Sequence, residues 1–385
     1  MRQVTCIPQL TIGMAKGTQG MARMDQGLAF MLKYENVAAY QDGVVKILDR
    51  RVYPGSVEYV TCHDFTRVAQ AISDMVTQSG GPWMAALQGM VLTAFQVRDL
   101  PMPQAKRELA AAAHCLTHAR PTTSERMVAE MDRVVEYATR AMDDGIELGP
   151  ALQGYAQKQV DARYLAARRI AENVVRLLPD EVTIITQCFA ETLIGFILLV
   201  CKEQGKQVSL ICPETRPYLQ GARLTASVAY DMGVPVTVIT DNMPGYLIRQ
   251  GIPDVFISAA DVITLDGHVV NKIGTYQIAL AAHASNMPFY VVGTPAAENP
   301  TIGSVTIEER DPEEVLHAMG IRTAKQGVKG YYPAFDITPP KLVSAVVTAQ
   351  GVFSPYDLRS VFGPSQARDL KSGTRPQAGA PPPGC

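Results

Sequence analysis

A chain of 385 residues with 47% hydrophobic and 19% charged side chains has room for two domains and a sizeable buried core. A formal net charge of -2 offers no basic field to draw in nucleic acid or an anionic membrane surface. The seven cysteines lie far apart without a Cys-x-x-Cys pair, which argues against a disulfide framework or structural zinc and for a reducing cytoplasm.

No apolar run approaches the ~20 residues of a bilayer-spanning helix, and Met1-Arg2-Gln3-Val4-Thr5-Cys6 lacks the apolar core of a signal peptide. The expectation is a soluble cytoplasmic protein. Residues 1–30 are rich in Met, Gly and Gln without a sustained period and read as an extension. From Tyr34 to Val60, short β-like stretches flank Asp42-Gly43, a hairpin signal. Between Asp64 and Asp144 the apolar positions recur at helical steps, as at Val68, Ile72, Met75 and Val76. Gln78-Ser79-Gly80-Gly81-Pro82 and Arg120-Pro121 interrupt that pattern. Residues 31–150 therefore read as a small β element with helices, and a long helical stretch from Pro150 to Leu178 joins them to the second half of the chain.

There the rhythm changes. Apolar runs at Val182–Thr186, Val208–Cys212, Val236–Thr240, Val255–Ala259 and Phe289–Val292 are separated mainly by helical segments, at Glu191–Gln204, Arg223–Met232 and Tyr276–Ser285. This alternation predicts an α/β domain over 151–363 with a mainly parallel sheet and helices on both faces. Residues 364–385 turn to Gly, Pro, Ser, Gln and Arg, with too little apolar surface to offset ordering entropy, and read as a disordered tail.

Open α/β sheets bind ligands at the carboxyl ends of their strands. Cys188, Glu214, Asp241 and Asp261 each follow a strand-like run and so fall on one edge. Plainer readings stand beside the functional one. Asp241 suits a helix cap before Asn242-Met243-Pro244, and Glu214 suits a partner for Arg216. Cys188 suits a buried structural thiol, and Asp261 a turn residue. Near a helix start, however, the Cys188 thiol would ionise more easily and could accept a proton. Nucleotide-phosphate loops, GxGxxG, HExxH and GxSxG are all missing. Only His114 and His118 have metal-like spacing, without a third ligand, so neither metal nor cofactor is expected. Arg120, Lys272 and the Gly80-Gly81 main-chain N–H groups could hold a phosphate.

Several ordered motifs point further. Glu214-Thr215-Arg216-Pro217-Tyr218-Leu219-Gln220-Gly221-Ala222-Arg223, Thr240-Asp241-Asn242-Met243 and Asn271-Lys272-Ile273-Gly274-Thr275-Tyr276 are three of them. Glu308-Glu309-Arg310-Asp311-Pro312, Pro333-Ala334-Phe335-Asp336 and Ala119-Arg120-Pro121-Thr122 complete the set. Together they resemble the methylthioribose-1-phosphate isomerase family from about Tyr34 to Phe353. The resemblance implies a small N-terminal domain on a Rossmann-like domain, a homodimer, and no metal or organic cofactor. It also implies isomerisation of a sugar phosphate, 5-methylthioribose 1-phosphate, to the 1-phosphoketose in methionine salvage. By the same resemblance Cys188 and Asp261 are the catalytic pair. Gly80, Gly81, Arg120, Gln220 and Lys272 bind phosphate, and Asn271 touches the sugar.

The match departs from the family near the pocket. Ser79-Gly80-Gly81-Pro82 stands where Arg-Gly-Ala-Pro is usual, Phe189-Ala190-Glu191 follows the cysteine in place of Asn-Thr-Gly, and Gln187 replaces a common His. A shifted substrate, 5-deoxyribose 1-phosphate or ribose 1,5-bisphosphate, therefore remains an alternative. So does a non-catalytic sensing role like that of the initiation-factor regulatory subunits of the same superfamily, although those lack the Cys–Asp pair. An apolar residue at the pocket edge, Phe189 or Trp83, would suit a thioether or methyl group better than a second phosphate. The pair should face one cavity that Arg120 and Lys272 also reach.

Overall fold

The computed structural model describes residues 23–119 and 124–362. Arg120, the first part of the expected extension and the expected tail lie outside the described residues. From residue 23 onward the extension reading does not hold. Leu28, Ala29, Met31 and Leu32 are buried, and Leu32 sits so close over Gly195 that a Cβ there would meet it at 2.4 Å. Apolar residues clustered at 28–32 dock this stretch onto the core.

A short helix α1 (Tyr34–Val37) leads into an antiparallel sheet of β1 (Ala38–Gln41), β2 (Val44–Leu48) and β3 (Tyr59–Cys62). Asp42 and Gly43 join the first two strands with φ of 47° and 83°, the left-handed pair that a two-residue hairpin turn needs. Helices α2 (Phe65–Ser73), α3 (Gly81–Gln96), α4 (Met102–His118) and α5 (Ser124–Asp143) come next. The Asp64 side chain caps α2 by accepting the Arg67 N–H at 2.8 Å. Helix α3 is buried along most of its length, as a helix in the middle of a bundle must be. Helix α6 (Leu148–Val175) runs from this bundle to the second half, packing on α3 and also on α7 (Thr192–Glu203).

The second half holds β4 (Glu181–Ile185), β5 (Gln207–Pro213), β6 (Val236–Ile239), β7 (Val255–Ala259), β8 (Val262–Ile263), β9 (Val269–Lys272) and β10 (Phe289–Val292). It continues with the β11–β12 hairpin (His317–Ala318 and Ile321–Arg322), β13 (Phe335–Thr338), β14 (Ala345–Thr348) and β15 (Gly351–Phe353). Between them lie α8 (Ala226–Asp231), α9 (Pro244–Arg249), α10 (Thr275–Ala284) and α11 (Glu313–Leu316). The main sheet has the order β15-β14-β10-β7-β4-β5-β6, parallel throughout except for the β14–β15 pairing. Without β15 this is the doubly wound order 3-2-1-4-5-6.

Strand periodicity explains why both faces are covered. Ile184, Leu210, Ile257, Val292 and Val347 join one core with residues of α6 and α7. Their neighbours Ile185, Ile211, Phe256, Val291 and Val346 join another with residues of α9 and α10. The chain moves from β4 outward to β5 and β6, then returns to β4's other side with β7. The crevice at the carboxyl ends of β4 and β7 is therefore the topological switch point, the expected place for a ligand. A small antiparallel sheet, β13-β9-β8, stands beside it. No helix among the described residues is long and apolar enough to cross a membrane.

Candidate active site

Cys188 follows β4 and Asp261 follows β7, so the switch point brings them together in one cavity. Gln220, Asn271 and Lys272 line the same cavity, as do the apolar side chains of Met75, Phe189 and Phe335. Cys188 has a φ of 61° and Glu191, at the end of its loop, one of 50°. Such backbone strain persists where surrounding contacts over-determine it. Here the Cys188 N–H donates to Thr215 Oγ1 at 3.2 Å, and the Thr225 hydroxyl donates to the Cys188 carbonyl.

The thiol is not the readily ionised group that its sequence position suggests. Burial pushes it up to about 11, while Lys272 pulls it down and Asp261 pushes it further up. Helix α7 begins only at Thr192, after the second left-handed residue, and a helix field fades beyond its first turn. Asp261 lies on the exposed, open side of the cavity, so the chain alone does not give it the apolar enclosure expected of a ring-opening acid. Its N–H donates to the Val270 carbonyl at 2.9 Å and ties its loop to β9, the strand carrying Asn271 and Lys272.

The Gly80-Gly81 turn departs from expectation. Gly80 N–H donates to Glu191 Oε2 at 2.8 Å and Gly81 N–H to the Gln78 carbonyl at 3.0 Å. Both donors are engaged within the protein and neither glycine lines the cavity, whereas Gln78 and Ser79 do. Glu214 forms no ion pair with Arg216, whose guanidinium donates instead to the carbonyls of Val315 and His317, the latter at 2.7 Å. Asp241 caps no helix. It accepts the N–H groups of Thr215 and Arg216 at 2.8 and 2.7 Å and so fixes the turn after β5.

Arg310 also lines the cavity. In the sequence it stands inside one of the matching motifs, with nothing there to assign it to the site. Gln187 and Gln220 are buried, and the Oε1 of each lacks a hydrogen-bond partner within the chain. Buried polar atoms need partners, and both of these residues border a cavity suited to a polar ligand. Among the described residues no three His, Cys, Asp or Glu side chains gather as metal ligands. The His114 and His118 rings simply stack, 4.2 Å apart.

A doubly wound sheet with a cysteine and an aspartate at its switch point, preceded by a helical bundle, is the architecture of initiation-factor-2B-like proteins. Residues 79–355 match the initiation factor 2 subunit family, and the chain belongs to it. It is 36% identical over 333 residues to methylthioribose-1-phosphate isomerase of Desulforamulus reducens, covering 83% of this chain and 96% of that one. Among solved structures it is similar to 5-methylthioribose 1-phosphate isomerase from Pyrococcus horikoshii. That match has a TM-score of 0.76 at 28% identity over 87% of this chain and 96% of the other. It is also similar to the delta subunit of translation initiation factor eIF-2B from A. fulgidus, with a TM-score of 0.73 at 30% identity over 86% and 99%.

Proposed function

We propose that the chain is an aldose–ketose isomerase that converts a 5-substituted ribose 1-phosphate, foremost 5-methylthioribose 1-phosphate, to the corresponding ribulose 1-phosphate. The observation that carries this reading is the meeting of Cys188 and Asp261 in one cavity at the sheet's switch point, with Lys272 beside them. The activity named for the D. reducens and P. horikoshii proteins supports the substrate. Met75 and Phe189 add apolar wall for a methylthio group.

The phosphate on O1 blocks the free aldehyde, so the ring opens with the ester in place. Asp261 protonates the ring oxygen, the C1–O bond breaks, and positive charge develops at C1. The Cys188 sulfur, as thiolate, removes the C2 proton to form an enol phosphate and returns that proton to C1. The 2-hydroxyl proton goes back to Asp261 as the C2 carbonyl forms, which balances the isomerisation. At neutral pH the resting sulfur is a thiol, so its ionisation is coupled to substrate arrival. Lys272 and the developing charge at C1 both favour the thiolate. The reading is completed by a cytoplasmic homodimer serving methionine salvage, as the family resemblance implies.

A ligand-sensing role is the second reading. It is favoured by the likeness to the eIF-2B delta subunit and by the occupied Gly80 N–H. A phosphoketose assay on 5-methylthioribose 1-phosphate, 5-deoxyribose 1-phosphate and ribose 1,5-bisphosphate separates the two. Turnover of none overturns the isomerase, and turnover that survives both Cys188→Ser and Asp261→Asn overturns the pair.

A further inference from the structure

The turn at residues 79–81 does not serve an anion. Glu191 already occupies the Gly80 N–H, and the fully buried Arg50 behind it is engaged by Glu191 and by the Gln78 carbonyl. Among the described residues the cations that line the cavity are Lys272 and Arg310. They share one aromatic ring. Lys272 Nζ lies 4.3 Å from the Phe335 centroid and Arg310 Cζ 5.7 Å from it. Arg310 also lies 6.0 Å from the Tyr332 centroid, and its Nε donates to Glu308 Oε1 at 2.6 Å. These contacts hold the guanidinium in place, with its side chain only 10% exposed. Two like charges gathered around one ring raise each other's energy, and a bound dianion removes that cost. Gln220 stands on the same cavity wall, 1% exposed, with its Oε1 unpartnered. Turned over, its amide would present N–H donors there.

We infer that Arg310, together with Lys272, holds the substrate's phosphate on the Phe335 side of the cavity. This deepens the isomerase reading and rests on it. A phosphate on C1 is close in covalent structure to the C2 carbon that Cys188 works on, so it must lie against the cations nearest that sulfur. Arg310 and Lys272 are both near enough to bias the Cys188 thiol downward. A guanidinium can take two phosphate oxygens in parallel, and the ammonium supplies a compact charge to another. Arg310 thereby provides the fork that the serine at position 79 cannot.

The test titrates the full chain with inorganic phosphate by calorimetry and measures KM for 5-methylthioribose 1-phosphate, in the parent, Arg310→Met and Arg310→Lys. Arg310→Met should weaken phosphate binding and raise KM by about 10- to 100-fold, the range expected for hydrogen bonds to a charged group. Its kcat should change by less than about threefold, the pattern of lost uniform binding. Unchanged phosphate affinity and KM, or a flat titration in the parent, overturns the inference. If Arg310→Met does not fold, Arg310→Lys decides: about tenfold weaker phosphate binding is expected because the fork is lost, and unchanged binding overturns it. Arg310-dependent phosphate binding without turnover of any sugar phosphate would keep the anion site and sink the isomerase. Turnover with KM and phosphate binding indifferent to Arg310 would do the reverse.

Discussion

The Glu191 carboxylate and the Arg50 guanidinium form a buried ion pair, Oε1 to Nη1 2.7 Å, beneath the Cys188 loop. The contact is one of charge more than alignment, since Oε1 makes no well-directed hydrogen bond, while Oε2 accepts the Gly80 N–H. Arg50 also donates to the Gln78 carbonyl and lies over the Phe189 ring. The pair thus joins the strand β2 exit, the turn at 78–80 and the loop after β4, three segments from opposite halves of the chain.

Removing one member strands a buried charge, which costs about 3–5 kcal/mol, whereas removing both is far milder. Arg50→Met and Glu191→Gln should each lower urea stability by that amount, and the double variant should recover most of it. Simple additivity in the double variant would show that the two charges do not depend on each other.

The Cys188 thiol supplies a pH signature. Alkylation by iodoacetamide should be slow at neutrality and rise toward pH 11, because the thiolate reacts and burial pushes the thiol to about 11. The stability sign comes from proton binding. Between the ordinary value of 9.0 and about 11 the folded state keeps a proton that the unfolded state has lost, so stability falls as pH rises through that window. Cys62 and Cys201 are raised similarly, so the check is comparative. The parent should lose more stability than Cys188→Ser between pH 9.0 and 11.

Much of this site was legible in the sequence because the rule about strand ends needs only the strands. Strands β4, β5, β6, β7 and β10 are apolar runs between helical segments, and Cys188 and Asp261 fall directly after two of them. Strands β8, β9 and β13 are two to four residues long and carry polar residues such as Asn271, Lys272 and Asp336, so no periodicity announces them. Arg310 lies outside any helix or strand and is anchored by an isolated bridge between Glu309 and Pro333, which only the folded chain brings together. The engagement of Gly80 was hidden for a similar reason: its acceptor, Glu191, is remote in sequence.

Two glycines should respond oppositely to alanine. A Cβ on Gly221 would meet the Pro213 carbonyl oxygen at 1.8 Å, a backbone atom with little freedom to move. Gly221→Ala should cost about 1–3 kcal/mol or more through overpacking. Gly154 is exposed within α6, with nothing near the added methyl, so Gly154→Ala should gain about 0.5–1 kcal/mol from helix propensity. Paired denaturant melts check both signs, and equal effects would contradict the packing around Gly221.

Asp241 acts on Cys188 through an intermediary. It accepts the N–H groups of Thr215 and Arg216, holding Thr215 at a φ of 64°. The Thr215 hydroxyl then accepts the Cys188 N–H while donating to the Pro213 carbonyl. Asp241→Ala leaves two backbone donors without their charged acceptor, a loss of about 1–3 kcal/mol for each group that stays buried. Loosening Thr215 should also free the strained Cys188 turn and let water reach the sulfur. Kcat should therefore fall more than KM rises, and the alkylation profile of Cys188 should move toward lower pH as desolvation is relieved. Asp241→Asn keeps one oxygen acceptor and should lie between the parent and the alanine variant in both readouts. A stability loss with an unmoved alkylation profile would confine Asp241 to holding the fold and break the link from β6 to the reacting sulfur.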